Sequence, residues 1–375
     1  MRLIGKIANG IARLLPLRNY IVFESLPDLS DNTKAVYDEM LRQEMHKKYK
    51  MFWLVRGDKE NLPDLPNTFY IREDTWVNRK ITKWLMLRAK CLICCNVFLE
   101  EKMPSQTSFY LTHGTALKKL HSYILPENIS YTLVASEHVK EVMSKELCGD
   151  IDTFYALGYP RNDVFCQLST DLHSVLEGDF QKVIVWYPTF RQHKNGLQTA
   201  SANALPVVHN VEAAVHLNEI AKENNVLIVV KPHFMQNVSY IKDHGLSNIR
   251  FIDDAFFAAN HISSYEFVGS CDALITDYSS IYFDFLLCDK PVAVIWEDID
   301  DYRKNPGFAM DPDFYMKGAQ KIYDVIDFEN FIQDLSIGID ALKDSRNEIN
   351  QLVNYGSDGK NSNRVVNFIK EKAGL

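Results

Sequence analysis

The chain has 375 residues, of which 46% are hydrophobic and 24% charged, and its formal net charge is −8 at pH 7. This length suits two α/β domains, and the acidic balance argues against a general nucleic-acid-binding protein. The seven cysteines are an odd number and do not indicate a disulfide framework, which fits a reducing cytosol. No run approaches the roughly 20 apolar residues of a membrane span.

The N-terminal segment carries an apolar stripe at helical spacing. Arg2, Lys6 and Arg13 lie off this stripe, a pattern typical of a helix that binds an anionic membrane surface. A first helix packed on its own domain explains the stripe equally well, and no signal-peptide h-region is evident. The stripe consists of Leu3, Ile4, Ile7, Ile11, Leu14 and Leu15.

The first half of the chain alternates apolar strands with helices. Strands without polar alternation, each followed by a helix, indicate a parallel sheet that is covered on both faces. Cys91, Cys94 and Cys95 lack a second Cys or His pair at finger spacing, so a buried strand explains them better than a metal site. We predict strands at 20–23, 51–55, 68–71, 91–95, 108–112 and 131–135, and helices at 32–44, 81–90 and 136–147.

The second half repeats this pattern after a polar stretch at 165–179. The sequence therefore predicts an N-terminal domain at 1–170 and a C-terminal domain at 171–375, each a doubly wound α/β unit with a parallel sheet. Ligands of such sheets bind at the carboxyl ends of the strands. Strands are predicted at 183–187, 226–230, 273–276 and 291–296, and helices at 211–224 and from residue 279 onward.

Four polar loops follow predicted strands. Because the carboxyl ends of parallel strands meet at one edge of a sheet, we expect these loops to meet in one cleft between two facing domains. The loops are HGTALKK at 113–119, PTFR at 188–191, KPHF at 231–234 and DYSS at 277–280.

His113 and His233 are the candidates for proton chemistry. A lone histidine at a strand end is more often structural than catalytic, but Gly114 allows close backbone approach to a ligand, and Thr115, Lys118 and Lys119 follow. His233 comes shortly after Lys231 at the end of a nearly pure apolar strand.

Ser279 and Ser280 follow an apolar strand that stops at Asp277. A helix starting here offers unpaired N–H groups and the positive end of its dipole, which suit a phosphate. The structural alternative is that the serines cap the helix, although one hydroxyl is enough for a cap. Asp284 lies four residues after Ser280 on the same face and either orients a serine or fixes the loop. Arg191 suits bidentate phosphate contacts, although a surface ion pair also explains it.

Taken in order, these segments resemble the CDP-glycerol glycerophosphotransferase family of teichoic-acid and related polymer synthesis. The resemblance covers about residues 20–310. It departs at Ala116, where the family usually has Pro, at Thr112, where it usually has Trp, and after Asp311, where a Pro-Gly-Pro element is usual. The segments are FESLPDLSDN at 23–32, HGTALKKL at 113–120, GYPRND at 158–163, PTFR, KPH and ITDYSSIYFDF at 275–285.

The resemblance implies a GT-B fold of two facing Rossmann-like domains, with the acceptor on the N-terminal side. It implies transfer of glycerol phosphate from CDP-glycerol to a hydroxyl of a lipid-linked or polymeric acceptor, with release of CMP, in teichoic-acid-like or capsular polymer synthesis. His113 becomes the base and His233 a second donor or acid. The donor phosphates are assigned to Thr189, Arg191, Lys231, Ser279 and Ser280, with Gly114, Thr115, Asp277 and Asp284 in support.

Other interpretations of the donor and of the function stay open. The donor is alternatively CDP-ribitol or a nucleotide sugar, and a non-catalytic binding module is a further alternative. No cofactor is expected. Mg²⁺ could attend the donor, and the acidic pairs 253–254 and 300–301 are present, but we expect no obligatory metal, because GT-B-like sites commonly neutralise pyrophosphate with basic side chains. We expect a cytoplasmic enzyme on the inner face of the cell membrane.

Overall fold

The structure is a computed structural model, and it describes most of the chain. The residues described are 15–57, 62–121, 123–167, 170–189, 205–232, 238–242, 244–356 and 358–375.

The chain forms two compact units. The first contains Met1–Thr115, Ser122–Asp163 and Tyr355–Leu375, and the second contains Ala116–His121 and Val164–Asn354. The second unit thus resumes at Val164, close to the boundary predicted at residue 170. The sequence pattern carries no signal for the return of the last 21 residues to the first unit.

The first unit is built on a seven-stranded sheet in the order β3-β2-β1-β4-β5-β6-β7, and every pairing in it is parallel. Its four described helices are α1 (Asp31–Arg42), α2 (Trp76–Arg88), α3 (Glu137–Glu146) and α13 (Asn361–Ala373). Its strands are β1 (Arg18–Glu24), β2 (Lys50–Val55), β3 (Thr68–Arg72), β4 (Ala89–Cys94), β5 (Thr107–Tyr110), β6 (Tyr131–Val134) and β7 (Phe154–Ala156).

The central strands of this sheet are buried on both faces, as their unbroken apolar runs predicted. Ile21, Val22 and Phe23 of β1 have no exposed surface. Cys91 and Cys94 of β4 are likewise buried, and neither forms a disulfide, which confirms the prediction of a buried strand here. Burial raises the pKa of Cys91 and Cys94, so these thiols stay protonated.

The second unit has a six-stranded parallel sheet in the order β10-β9-β8-β11-β12-β13. Its strands are β8 (Lys182–Trp186), β9 (Val226–Val230), β10 (Ile249–Phe251), β11 (Ala273–Thr276), β12 (Val292–Ile295) and β13 (Gln320–Ile322). Its described helices are α4 (Val211–Glu223), α5 (Ser239–Lys242), α6 (Asp254–Ala259), α7 (Ser264–Ser270), α8 (Ile281–Phe285), α9 (Ile299–Lys304), α10 (Pro312–Tyr315), α11 (Val325–Ser336) and α12 (Lys343–Val353).

Two predicted helices differ in extent from the structure. The helix predicted at 81–90 begins at Trp76, because Thr75 caps it by accepting from the backbone N–H of Asn78. The helix predicted from residue 279 is short, with five residues in α8 followed by the 3-10 turn Leu286–Cys288. A helix this short has a smaller dipole than the longer helix predicted from the sequence.

The predicted strands are confirmed to within two residues at each end. None of the helices in the described part of the chain combines the length and apolarity needed to cross a membrane.

Candidate functional site

The HGT loop, defined as His113–Thr115, follows β5 in the first unit and has an unusual backbone. Thr112, directly before it, has a φ of +49°, a left-handed conformation that is rare for a β-branched residue. Gly114 has a φ of +136°, which a residue with a side chain rarely adopts. Conformations of this kind persist only where their surroundings enforce them, and they cluster at functional sites.

Two buried side chains enforce this backbone. The Asn32 side-chain amide donates to the carbonyls of Leu111 and Thr112, at 3.2 and 3.0 Å. Arg161 Nη1 donates to the His113 carbonyl at 3.0 Å and to Asp31 Oδ1 at 2.7 Å, and its backbone N–H donates to Asn32 Oδ1 at 3.2 Å. Asn32 lies in the segment FESLPDLSDN and Arg161 in the segment GYPRND. These two segments, for which the sequence predicted no role, therefore hold the HGT loop in place.

His113 remains exposed at the surface of the first unit. Its Nδ1 lies 3.4 Å from the Cys95 carbonyl oxygen, so an Nδ1–H tautomer donates there and leaves Nε2 unprotonated. Desolvation by the surrounding protein lowers the pKa of His113 below its ordinary 6.5, and Arg161 adds to the lowering while Asp31 opposes it. The imidazole is therefore neutral near pH 7, as a general base must be.

The chain leaves the first unit directly after the HGT loop. Thr115 is buried, with its hydroxyl 3.5 Å from that of Tyr159, so it packs inside the unit. The next residues, Ala116–His121, belong to the second unit. There the Lys119 N–H donates to the Gly307 carbonyl at 3.2 Å, and His121 Nε2 lies 2.8 Å from the Pro306 carbonyl.

The DYSS turn, Asp277–Ser280, follows β11 at the carboxyl edge of the second sheet. Asp277 is completely buried and accepts from Thr189, both from its backbone N–H at 2.6 Å and from its hydroxyl. The carboxylate thus ties the loop after β8 to the turn after β11. The Thr189 hydroxyl donates its proton to Asp277, which makes this residue a loop anchor in the structure.

The two serines of the turn are half-buried. Ser280 precedes α8 but makes no side-chain cap bond, and neither serine hydroxyl bonds to a residue that the structure describes. The capping explanation therefore does not account for Ser280. Asp284 is buried and accepts from the Tyr265 hydroxyl at 2.8 Å, so one of its oxygens is used to hold α7 against α8.

Lys231 follows β9 on the same sheet. Its ammonium lies 3.1 Å from Asp254 Oδ1, in a pair whose carboxylate side chain is 87% exposed. An exposed pair of this kind exchanges readily for another anion, because it contributes little free energy. Two other predicted residues, Arg191 and His233, lie outside the described residues.

Metal cations in proteins are held mainly by His, Cys, Asp and Glu side chains. No cluster of three or more such side chains suited to a metal occurs in the described ranges. In the acidic pair 253–254, Asp253 caps α6 by accepting from the N–H groups of Ala255 and Phe256. In the pair 300–301, Asp301 Oδ1 lies 3.3 Å from Lys304 Nζ.

Comparison with known proteins gives consistent results. The chain is 24% identical over 340 residues to a teichoic acid poly(glycerol phosphate) polymerase of Bacillus subtilis, covering 80% of the chain and 42% of that relative. It is 26% identical over 405 residues to a poly(ribitol-phosphate) polymerase of Bacillus spizizenii, covering 96% and 58%. The chain thus spans about half the length of these two relatives. A poly(glycerol phosphate) polymerase of Bacillus spizizenii is 25% identical, covering 89% and 90%.

The fold matches solved structures. The wall teichoic acid polymerase TagF superposes with a TM-score of 0.75 at 20% identity, covering 98% of this chain and 93% of that one. A UDP-GlcNAc 2-epimerase from Neisseria meningitidis superposes with a TM-score of 0.54 at 13% identity, covering 94% and 99%. These likenesses confirm the predicted GT-B type of fold, with a parallel sheet in each unit.

A family model covers nearly the whole chain. The model described as CDP-Glycerol:Poly(glycerophosphate) glycerophosphotransferase matches residues 8–371, which includes both sheets, the HGT loop and the DYSS turn. The chain therefore belongs to the CDP-glycerol:poly(glycerophosphate) glycerophosphotransferase family.

Proposed function

We propose that this chain transfers glycerol phosphate from CDP-glycerol to a hydroxyl of a lipid-linked or polymeric acceptor and releases CMP. The observation that carries the proposal is the family match over residues 8–371. The geometry of the HGT loop adds support, since it holds a neutral histidine on an enforced backbone.

The reaction is a substitution at phosphorus. The acceptor oxygen forms a bond to the β-phosphorus of CDP-glycerol, and the bond between that phosphorus and the bridging oxygen breaks. The electron pair of the broken bond leaves with CMP, and the proton of the acceptor hydroxyl moves to a base. Such reactions depend on positioning and on stabilising the charge that develops on the phosphoryl oxygens and the leaving group.

His113 Nε2 accepts the proton of the attacking hydroxyl. The lowered pKa keeps the imidazole unprotonated near neutral pH, and the contact of Nδ1 with the Cys95 carbonyl fixes which nitrogen is free. Arg161 and Asn32 are positioning residues, because their hydrogen bonds go to the backbone carbonyls of His113 and of the residues directly before it.

The donor phosphates bind in the second unit. Ser279 and Ser280 donate from hydroxyls that the described fold leaves unbonded, and Lys231 contributes charge after exchanging Asp254 for phosphate. Arg191 and His233 keep the roles that the resemblance assigns, phosphate contact and second donor. Asp277 and Thr189 act together as the link that sets the spacing of the two loops.

The proposal includes no obligatory metal, since basic side chains and hydroxyls neutralise the donor. Transfer rates in excess EDTA should equal those in buffer with added Mg²⁺. Complete loss of transfer in EDTA, restored by Mg²⁺, would show that a cation is part of the donor site.

A panel of donors tests the proposed reaction. Purified protein with a polyol-phosphate acceptor should release CMP from CDP-glycerol faster than from any other donor. CDP-ribitol is the second candidate, because a relative at 26% identity is a poly(ribitol-phosphate) polymerase. If the protein released nucleoside diphosphate from UDP-sugars and no CMP from either CDP-alditol, the proposed reaction would be wrong and the activity would be sugar transfer. Donor binding without any turnover would favour the binding module.

Peripheral membrane association at the inner face of the cell membrane is part of the proposal. Except for the exposed Leu15, the apolar stripe lies outside the described residues, but α2 offers a second surface. Its outer face exposes Trp76 (64%), Val77 (57%), Ile81 (45%) and Trp84 (52%). Lys80 Nζ lies 3.8 Å from the Trp76 ring centroid, so cations and indoles alternate along this face as they do on interfacial helices.

Vesicle binding tests this surface. The chain should sediment with vesicles that contain phosphatidylglycerol, and replacing Trp76 and Trp84 together by serine should release it. Ile337→Ser is the control, because Ile337 is 71% exposed in the second unit and has no role in the proposal. Unchanged sedimentation of the double variant would leave residues 1–17 as the candidate anchor, which their deletion would test.

A further inference from the structure

The C-terminal helix α13 is capped by a residue from a distant part of the chain. Its own N-cap residue is Lys360, whose ammonium is a donor and cannot accept from the unpaired N–H groups of the first turn. The carboxylate of Asp163 accepts instead, through Oδ1 from the N–H of Asn361 at 2.8 Å and through Oδ2 from the N–H of Ser362 at 2.7 Å. Its negative charge also suits the positive end of the helix dipole.

The GYPRND segment, residues 158–163, packs closely on the first turn of α13. Asn361 Nδ2 donates to the Tyr159 carbonyl at 3.1 Å, and Ser362 Oγ donates to the Pro160 carbonyl at 3.2 Å. A Cβ atom on Gly158 would overlap Asn361 Oδ1, and the φ of +78° at this position also favours glycine. Backbone and side chains of the segment are thus both fixed against the helix.

The other side of the GYPRND segment holds the HGT loop. Arg161, which is 7% exposed, donates from Nη1 to the His113 carbonyl at 3.0 Å and to Asp31 Oδ1 at 2.7 Å. The Tyr159 hydroxyl lies 3.5 Å from that of Thr115, the last residue of the loop. A continuous set of contacts therefore leads from the N-terminus of α13, through the GYPRND segment, to the backbone of the candidate base.

The segment depends on such tertiary contacts for its conformation. Residues Pro160–Cys166 form a 3-10 turn, whose hydrogen bonds have poorer geometry than those of an α-helix. Asp163 is also the last residue before the chain enters the second unit, and the chain returns to the first unit only at Tyr355, shortly before α13. The two bonds that Asp163 accepts are of the strong, charge-assisted kind, and the carboxylate is 8% exposed. They anchor the end of the segment that would otherwise lead away from the HGT loop.

We propose that Asp163 is a positioning residue for the transfer reaction, and that it docks α13 on the GYPRND segment so that Arg161 holds His113 in place. The proposal rests on the proposed function, because it takes His113 as the base. If Asp163 were only a helix cap, its removal would lower stability and leave the imidazole unchanged. A positioning role requires a change at the imidazole as well.

Asp324 provides a matched control in the second unit. Its carboxylate also caps a helix, α11, by accepting from two backbone N–H groups, those of Ile326 and Asp327. Asp163→Ala and Asp324→Ala should therefore both unfold at a lower urea concentration than the wild type. Only Asp163→Ala should alter the surroundings of His113.

NMR of the protein with ¹³C-labelled histidine, recorded without any donor, detects this difference. The signal of His113 is identified by its absence in His113→Ala. In Asp163→Ala the signal should shift, and the pKa of His113 should rise toward its ordinary 6.5, because a loosened loop desolvates the imidazole less. Asp163→Asn, which keeps one acceptor oxygen, should give a smaller shift in the same direction, and Asp324→Ala should give none.

An unchanged His113 signal in Asp163→Ala, or equal shifts in the two alanine variants, would overturn the proposal. If Asp163→Ala does not fold, Asp163→Asn takes its place, and an unchanged signal in that variant has the same consequence. Because no donor is present, this failure is separate from a failure to turn over CDP-glycerol.

Kinetics test whether Asp163 acts through Arg161. Asp163→Ala should lower kcat by about tenfold or more, since small misplacements of a catalytic group are costly, and should leave the KM for CDP-glycerol unchanged, because the donor phosphates are assigned to the second unit. Adding Asp163→Ala to Arg161→Met should cause little further loss, because the two residues act through one contact. Losses of kcat that multiply in full in the double variant would contradict a path through Arg161.

Discussion

The HGT loop and the DYSS turn use buried polar groups in the same way but leave different groups at the surface. In the first unit, Asn32 and Arg161 hold the backbone and one imidazole stays exposed. In the second, Asp277 holds a neighbouring loop through Thr189, and the Ser279 and Ser280 hydroxyls bond to none of the described residues. In both units buried polar groups thus position a loop, and the proposed function assigns chemistry to neutral side chains beside that position.

The largest expected effect follows from removing the imidazole. His113→Ala should lower kcat for transfer by about 10²–10⁴-fold, the usual contribution of a positioned general base. Because the side chain is exposed, the free energy of unfolding should barely change. Rates of CMP release measure the loss of transfer, and urea unfolding measures the free energy of unfolding. His46→Ala, at a 3-10 turn of the same unit, is the control. Near wild-type transfer by His113→Ala would show that His113 is not the base.

The hydroxyls of the DYSS turn come next. Ser279→Ala and Ser280→Ala should each cost up to about 10²–10³-fold in kcat/KM for the donor, as expected for loss of a charge-stabilising donor group. Neither change should alter stability. Ser336→Ala, on α11, serves as the matched control. Donor kinetics identical to wild type in both variants would mean that the serines only shape the turn.

Asp277→Asn separates positioning from chemistry in the second unit. A hydrogen bond to a buried carboxylate contributes about 1.5–3 kcal/mol, so the variant should unfold at lower urea concentration. Its KM for donor should rise while kcat changes less, because Thr189 loses its anchor on the DYSS turn. A drop in kcat without any loss of stability would instead give Asp277 a direct role.

Arg161→Met makes the same separation in the first unit. Asp31, which is 16% exposed, would lose its cationic partner but keep the N–H of Asn32, so the variant should lose less than the about 3–5 kcal/mol that breaking a fully buried pair costs. Transfer should fall less in Arg161→Met than in His113→Ala, since the imidazole remains. Lys145→Met, which breaks the exposed pair with Glu141, should leave stability unchanged. Equal stability of the two variants would show that Arg161 does not hold the loop.

The smallest expected effect is a shift in the pH profile. Because desolvation lowers the pKa of His113, the acid limb of kcat/KM should have its midpoint below pH 6.5, and His113→Ala should lack that limb. The same lowering means that the unfolded state binds the proton more tightly, so this residue reduces stability as the pH falls below 6.5. A midpoint at or above 6.5 would contradict the assigned environment.

The sequence predicted ten of the thirteen described strands, because unbroken apolar runs such as Val226–Val230 have few alternatives, and it missed the three-residue strands β7, β10 and β13. It also predicted where polar loops leave those strands. It did not predict the return of α13 to the first unit, because that packing depends on long-range bonds such as Asp163 accepting from the N–H of Asn361. Nor did it identify Asn32 and Arg161 as supports of the HGT loop, since their partners are backbone carbonyls, which no side-chain pattern reveals.

The most direct test of the proposed reaction is the identity of its products. Incubation of the protein with CDP-glycerol and a defined acceptor, followed by mass spectrometry, should show an acceptor that has gained glycerol phosphate and an equal amount of CMP. The account predicts this stoichiometry for the wild type and its near absence in His113→Ala. Release of CDP, or CMP released without any gain of mass by the acceptor, would contradict it.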